Sequence, residues 1–209
     1  MSHLQHTNMR RRGVILLCGA LLSAGAVAGC TRLLDVDAPQ LIEESTLQIA
    51  ANAPVIVAGA VGEFECAFGS YIVTMGLIGD EFADAQGNAA TWDLDRRTNN
   101  PANGLYTTAT CTGLGGTYTP LSTARYANDN AVKLLEGWTD AEVPNRQKLI
   151  GQAYAYAGYS LTLLGEGMCS AAINLGPEIQ PPALFTEAVA RFTKAIAAEH
   201  MLSPRRIKE

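Results

Sequence analysis

Two groups of carboxylates and one tryptophan are the first candidates for chemistry. Asp80, Glu81 and Asp84 lie within five residues, and Asp93 and Asp95 flank Leu94. Paired carboxylates can divide general acid and base work, as glycoside hydrolysis requires. The same residue types also end helices and accept loop hydrogen bonds, and here that reading is the stronger. Of three His, His3 and His6 fall in the first six residues and His200 lies near the other end. No Ser/His or Cys/His pair is therefore at hand, so no catalytic residue and no enzyme activity are expected. Asp93-Leu94-Asp95 offers oxygen ligands to Ca²⁺ but lacks EF-hand spacing. No C-x-x-C occurs, so neither a metal nor a cofactor is expected. Trp92, Tyr106, Tyr118 and Trp138 lie in or beside loops. Flat aromatic faces suit stacking on sugar rings, and Trp92 is the first candidate; partly buried packing is the alternative.

The five Cys carry different chemistry. Arg10-Arg11-Arg12 is followed by an uncharged run from Gly13 to Gly29, apolar first and then rich in small residues. That is the order of a secretory signal, and it is short of the ~20 apolar residues that span a bilayer comfortably. It ends in Val27-Ala28-Gly29-Cys30, which resembles a bacterial lipobox. The resemblance implies cleavage after Gly29 and lipidation of Cys30; a plain secretory signal is the alternative. Two or three acyl chains anchor stably, at about 0.8 kcal/mol per buried CH₂. Thr31 replaces the Asp that would favour inner-membrane retention, so a lipid-anchored outer-membrane location is expected, at the surface or the periplasmic face. Residues 1–29 hold three Arg and no acid, which leaves 12 basic against 20 acidic residues, a net −8. Such a chain does not present a nucleic-acid footprint. Cys66, Cys111 and Cys169 remain. In an oxidising compartment Cys66 with Cys111 is the favoured disulfide; three free thiols packed as small apolar residues are the alternative.

These groups need elements to hold them. The chain has 48% hydrophobic and 17% charged residues, enough for one folded domain. Residues 30–51 read as anchor and leader. A helix is expected over Asn52–Leu77, with Asn52 as cap, Pro54 in the first turn, and Val57, Val61, Phe64, Phe68, Tyr71 and Met75 at three- and four-residue spacing. Residues 85–117 read as a long loop. A second helix is expected from about Thr119 to Gly137, a third from about Val143 or Pro144 to Leu164 or Gly165, where Gly165-Glu166-Gly167 breaks it. A fourth begins at Pro182 and ends near Glu199, with Leu184, Phe185, Ala188, Val189, Phe192, Ala195 and Ile196 buried. No strand is expected, so the fold class is all-α with long loops. Ala188, Phe192 and Ala195 reproduce the A-x3-F-x2-A spacing of a tetratricopeptide second helix, facing Ala153, Ala157, Gly158 and Leu161.

Taken in order, the lipobox Cys, Leu33-Leu34-Asp35-Val36-Asp37-Ala38-Pro39, Gly79-Asp80-Glu81-Phe82, the Ala124–Ala131 segment, the Gln152–Glu166 segment and Leu184-Phe185-Thr186-Glu187-Ala188 resemble the N-terminal part of the SusD/RagB outer-membrane lipoproteins. The resemblance covers residues 30 to about 199, with 52–199 as a partial SusD-like helical domain. It implies tetratricopeptide-like helical pairs. It also implies a substrate-binding lipoprotein that partners a TonB-dependent SusC-like barrel and captures glycans or peptides for uptake. Family members run more than twice this length, and residues 200–209 turn abruptly basic, so a truncated copy is expected. The alternative is a short helical lipoprotein acting as a structural or protein-interaction adaptor.

Overall fold

The computed structural model describes residues 44–202 except 86, 88, 90, 99 and 101–115. The signal segment, Cys30, Tyr106, Cys111 and the tail beyond 202 lie outside the described residues. A short helix α1 (Glu44–Leu47) and a 3₁₀ turn (Ala50–Asn52) lead into α2 (Ala53–Ile78). Then come α3 (Trp92–Asp95), α4 (Tyr118–Glu136), α5 (Arg146–Gly167), a two-stranded antiparallel ribbon of β1 (Ala171–Ala172) and β2 (Glu178–Ile179), and α6 (Pro181–Leu202). The fold is all-α, with the ribbon as its one departure among the described residues.

Helix α5 is the centre: α2, α4 and α6 all pack on it, and α2 also packs on α4. The 3.6-residue period explains the choice of faces. Val57, Ala60, Val61, Phe64 and Ala67 of α2 meet Leu121, Ala124, Ala131 and Leu135 of α4 and Ala153, Leu161 and Leu164 of α5 in two core clusters. Each fully buried leucine contributes about 1.5–3 kcal/mol relative to exposure. By length and composition Ala50–Ile78 would also suffice to cross a membrane, at mean hydropathy 1.4. Its inner face is nevertheless committed to this core.

Several expectations need correction. Asn52 occupies the N-cap position of α2 but its side chain makes no capping bond; its Nδ2 donates backwards to the Thr46 and Leu47 carbonyls. Pro54 does sit in the first turn, as its missing N–H allows. The loop over 85–117 contains α3, four residues beginning at Trp92. Phe68 is exposed on α2, and Tyr71 and Met75 are only partly covered. Phe185, Val189 and Ile196 of α6 are exposed and Phe192 is only partly buried, because α6 packs chiefly on α5 and its apolar arc is wider than that one contact.

Helix α5 does not break at Gly165; it continues to Gly167. Its glycines are contact points, not stops. A Cβ on Gly151 would lie 3.3 Å from the Ala195 carbonyl oxygen and 3.5 Å from the Ala198 Cβ. One on Gly158 would lie 2.7 Å from the Phe192 ring, and one on Gly165 2.8 Å from the Phe185 ring. The glycines recur every seven residues along α5, and their contacts descend along α6, so the two helices run antiparallel. Absence of a side chain lets two aromatic rings lie directly on the α5 backbone. The α2 glycines behave differently: no atom lies within 4 Å of a Cβ built on Gly59, Gly62 or Gly69. Gly62→Ala is therefore expected to raise the unfolding free energy by about 0.8–1 kcal/mol through helix propensity alone, measured by urea denaturation. A loss there would mean the outer face of α2 is covered.

Candidate functional site

The acidic residues serve loop geometry. Asp95 Oδ1 accepts from the Asp84 backbone N–H at 3.1 Å, and the Thr91 hydroxyl donates to Asp84 Oδ2. Asp93 Oδ1 accepts from the Thr98 hydroxyl at 3.0 Å, and Asp80 pairs with Arg97 at 2.8 Å on the surface. These bonds fold the segment after α2 around the short helix α3. No group of three His, Cys, Asp or Glu among the described residues is arranged to hold a metal.

Trp92 begins α3 and is 38% exposed. The Arg96 guanidinium stands over its ring, 4.6 Å from the centroid. A sugar stacked on that face would have to displace Arg96. Tyr118 starts α4 and is part-buried; its hydroxyl accepts from the Ala172 N–H at 3.1 Å, tying α4 to the ribbon. Trp138 is half-buried against the core. Cys66 is exposed on α2 and is disulfide-bonded, whereas Cys169 is a free, exposed thiol. The Cys66 partner lies outside the described residues, as does Cys111. Non-reducing peptide mapping is expected to recover Cys66 joined to Cys111; a Cys66 peptide joined to any other Cys, or with a free thiol, contradicts that pairing.

The aromatic surface that the sequence did not single out lies across α2, α5 and α6. Phe68 stacks on Phe64 at 5.7 Å, Phe64 meets Tyr156 edge-on at 5.2 Å, and Tyr156 meets Tyr159 at 6.0 Å. Tyr159 in turn meets Phe192 at 5.1 Å. Tyr156, Tyr159, Phe192 and Ile196 line an open groove of about 790 Å³ between α5 and α6, with Lys148, Gln152 and Glu199 as its polar groups. An apolar, aromatic wall with a few polar side chains is the usual composition of a ligand site. Tyr159 is half exposed there, which leaves ring surface uncovered.

A polar network runs behind the α4–α6 side. Arg125, 5% exposed, donates from Nη1 to Asp129 Oδ2 at 3.2 Å and to Asn174 Oδ1 at 2.7 Å. Arg191 of α6 donates to the same carboxylate from Nε and Nη2, both at 3.3 Å, and pairs with Glu187 from Nη1. Asp129 thus joins two guanidiniums from two helices. The wholly buried Asn128 donates from Nδ2 to the Ala60 and Ala124 carbonyls at 2.8 and 2.9 Å, fastening α4 to α2. The polar character of these residues points to solvent, although Asn128 falls on the Leu121, Ala124, Ala131 and Leu135 face, and their distant partners left no mark on local spacing.

Tyr154 donates its hydroxyl to Glu136 Oε1 at 3.0 Å. Burial, then the hydrogen bond and the charge of Glu136, push its pKa up to about 12. The ordinary value is about 10, so between those pH values the folded chain keeps a proton that the unfolded chain loses. The stabilising contribution is whole below pH 10 and is lost as pH rises through 12. Tyrosinate absorbance is expected to show one late-ionising group that disappears in Tyr154→Phe; an unchanged profile contradicts this environment.

Compared with known proteins, the chain matches no family model, no characterised protein and no solved structure.

Proposed function

We propose that the chain is a lipid-anchored outer-membrane substrate-binding component of a SusC/SusD-type TonB-dependent uptake system for glycans or peptides. The observation that carries the reading on the structural side is the groove between α5 and α6. It combines exposed ring surface at Tyr159 with Tyr156, Phe192 and three polar side chains at its edges. Aromatic faces bind sugar rings and apolar peptide side chains, and the polar groups orient them. Two further features support the reading. The sequence order from the lipobox Cys30 onward resembles that family, and the antiparallel α5–α6 pair, with small residues against aromatic rings, suits a tetratricopeptide-like unit.

The test has two parts. Metabolic labelling with a fatty acid should mark the full chain and fail for Cys30→Ala. Detergent-solubilised chain should bind a soluble oligosaccharide or a peptide, and Tyr159→Ala should weaken that binding about tenfold, within the range of alanine substitutions at a stacked ring. Absence of lipid, or binding indifferent to Tyr159, counts against the reading. The exposed Val189 and Ile196 on α6 favour a second reading, a helical adaptor that docks another protein through this face. Ligand-independent capture of a partner, lost in a Val189→Ser, Ile196→Ser double variant, would support it instead.

A further inference from the structure

A second cavity, of about 620 Å³, lies between the first two turns of α4 and the ribbon, away from the α5–α6 groove. Tyr118, Ser122, Arg125, Tyr126, Asn174 and Leu175 contribute to its walls. Arg125 is more than nine-tenths buried, yet every hydrogen bond it makes leaves from Nη1. Its Nε and Nη2 have no protein partner. These two N–H groups lie on one edge of the guanidinium and point in parallel, which is the geometry that a planar carboxylate accepts. Neither atom is sealed off from solvent, so this edge is open to the cavity and a charged acceptor can complete it. The Ser122 hydroxyl, by contrast, is buried with no partner.

The surroundings favour a single negative charge. Asp129 is shared between Arg125 and Arg191, so it only partly neutralises Arg125. The cavity opens at the start of a 19-residue helix, where the macrodipole is positive. Beside these groups the walls turn apolar. The Tyr126 ring is more than half exposed, and Leu175 is wholly exposed at the ribbon tip. Asn174 and Leu175 both hold left-handed backbone, φ 54° and 59°, and Asn174 thereby brings its Oδ1 onto Arg125 Nη1.

We infer that this cavity is a binding site for a small monocarboxylate, with the carboxylate on the Nε–Nη2 edge of Arg125, a hydrogen bond from Ser122, and an apolar or ring portion between Tyr126 and Leu175. The site is independent of the α5–α6 groove and of the uptake role. Its ligand carboxylate can come from a sugar acid or from the free end of a peptide.

Calorimetric titration of the full chain in detergent distinguishes these sources. The probes are galacturonate against glucose, N-acetyl-leucine against N-acetyl-leucinamide, and inorganic phosphate. At least one acid is expected to bind about tenfold or more tightly than its neutral counterpart, as a charge-assisted bidentate contact implies. Galacturonate binding assigns a sugar acid, and N-acetyl-leucine binding a peptide end. Arg125→Lys keeps the charge but removes the paired edge, and is expected to abolish the preference. Should that variant fail to fold, Ser122→Ala and Tyr126→Ala decide, each expected to weaken the acid severalfold. The inference is overturned if neither acid exceeds its neutral partner or if phosphate binds as tightly as the acids. It is also overturned if folded Arg125→Lys, or both other variants, bind as the parent does.

Discussion

Asp129→Asn is expected to lower the unfolding free energy by about 3 kcal/mol in urea denaturation, one of the largest single losses available in this chain. Asp129 accepts from Arg125 on its own helix and from Arg191 on α6, and it is itself only 20% exposed. Asn preserves shape but removes the charge. Two guanidiniums, 6% and 17% exposed, are then left facing each other's charge with one neutral oxygen between them. Breaking a buried pair by removing one partner costs about 3–5 kcal/mol, and the residual exposure here places the loss at the lower end. Glu187→Gln is the control. Glu187 also pairs with Arg191, but it is 44% exposed, and the loss should stay below about 1 kcal/mol. Equal effects from the two substitutions would show that Asp129 is not the hub.

Gly158→Val is expected to cost about 2–3 kcal/mol and to loosen α6 from α5. The first added carbon would lie 2.7 Å from the Phe192 ring, well inside contact distance, and the branched methyls add to the overlap. Overpacking of this kind costs about 1–3 kcal/mol, and valine brings little of the helix propensity that alanine would return. Because Phe192 is only half-buried, the ring can swing outward, and the loss then falls on the Tyr159 and Phe192 contact that walls the groove. Phe192→Ala in the same background should remove most of the clash, so the double variant should be less destabilised than the sum of the two single changes. Simple additivity would mean that the glycine and the ring do not meet.

The contrast between Gly158 and Gly62 also explains what the sequence could and could not reveal. The four long helices were legible because Val57, Val61 and Phe64, or Leu121, Ala124 and Ala131, repeat at helical spacing, and such repeats need only one buried face to be read. The end of α5 was not legible. Gly165-Glu166-Gly167 is turn chemistry in isolation, but here Phe185 packs on Gly165, and Tyr71 and Met75 pack on Gly167. A glycine that stops a helix and one that admits a ring have the same letter. Phe185, Val189 and Ile196 were misassigned for a related reason: a period locates an apolar arc but not how much of it a neighbour covers. Within the A-x3-F-x2-A set, Ala188 and Ala195 are buried and Phe192 lies on Gly158.

Polar residues account for the rest. Arg125, Asn128 and Asp129 occupy consecutive turns of α4, where a hydropathy pattern assigns them to water. Their burial follows from partners on α2, α6 and the ribbon, which are 49 to 68 residues away and invisible to local spacing. The two-residue strands are too short for an alternating pattern to register, and they exist because Tyr118 and Asn174 pin the segment to α4. Asp84, Asp93 and Asp95 accept loop hydrogen bonds, as their residue types in that segment allow.

The proposed role predicts both a membrane anchor and a barrel partner, and one measurement addresses both together. Full chain carrying an affinity tag at its C-terminus would be purified in mild detergent from cross-linked cell envelopes of its host, and the captured proteins identified by mass spectrometry. The uptake role predicts the chain in the outer-membrane fraction, N-terminally acylated at Cys30, and cross-linked to a large β-barrel with a plug domain. Both the fractionation and the cross-link should be lost in Cys30→Ala. Recovery of an unacylated chain in the soluble fraction, with no barrel cross-linked to it, would contradict the role.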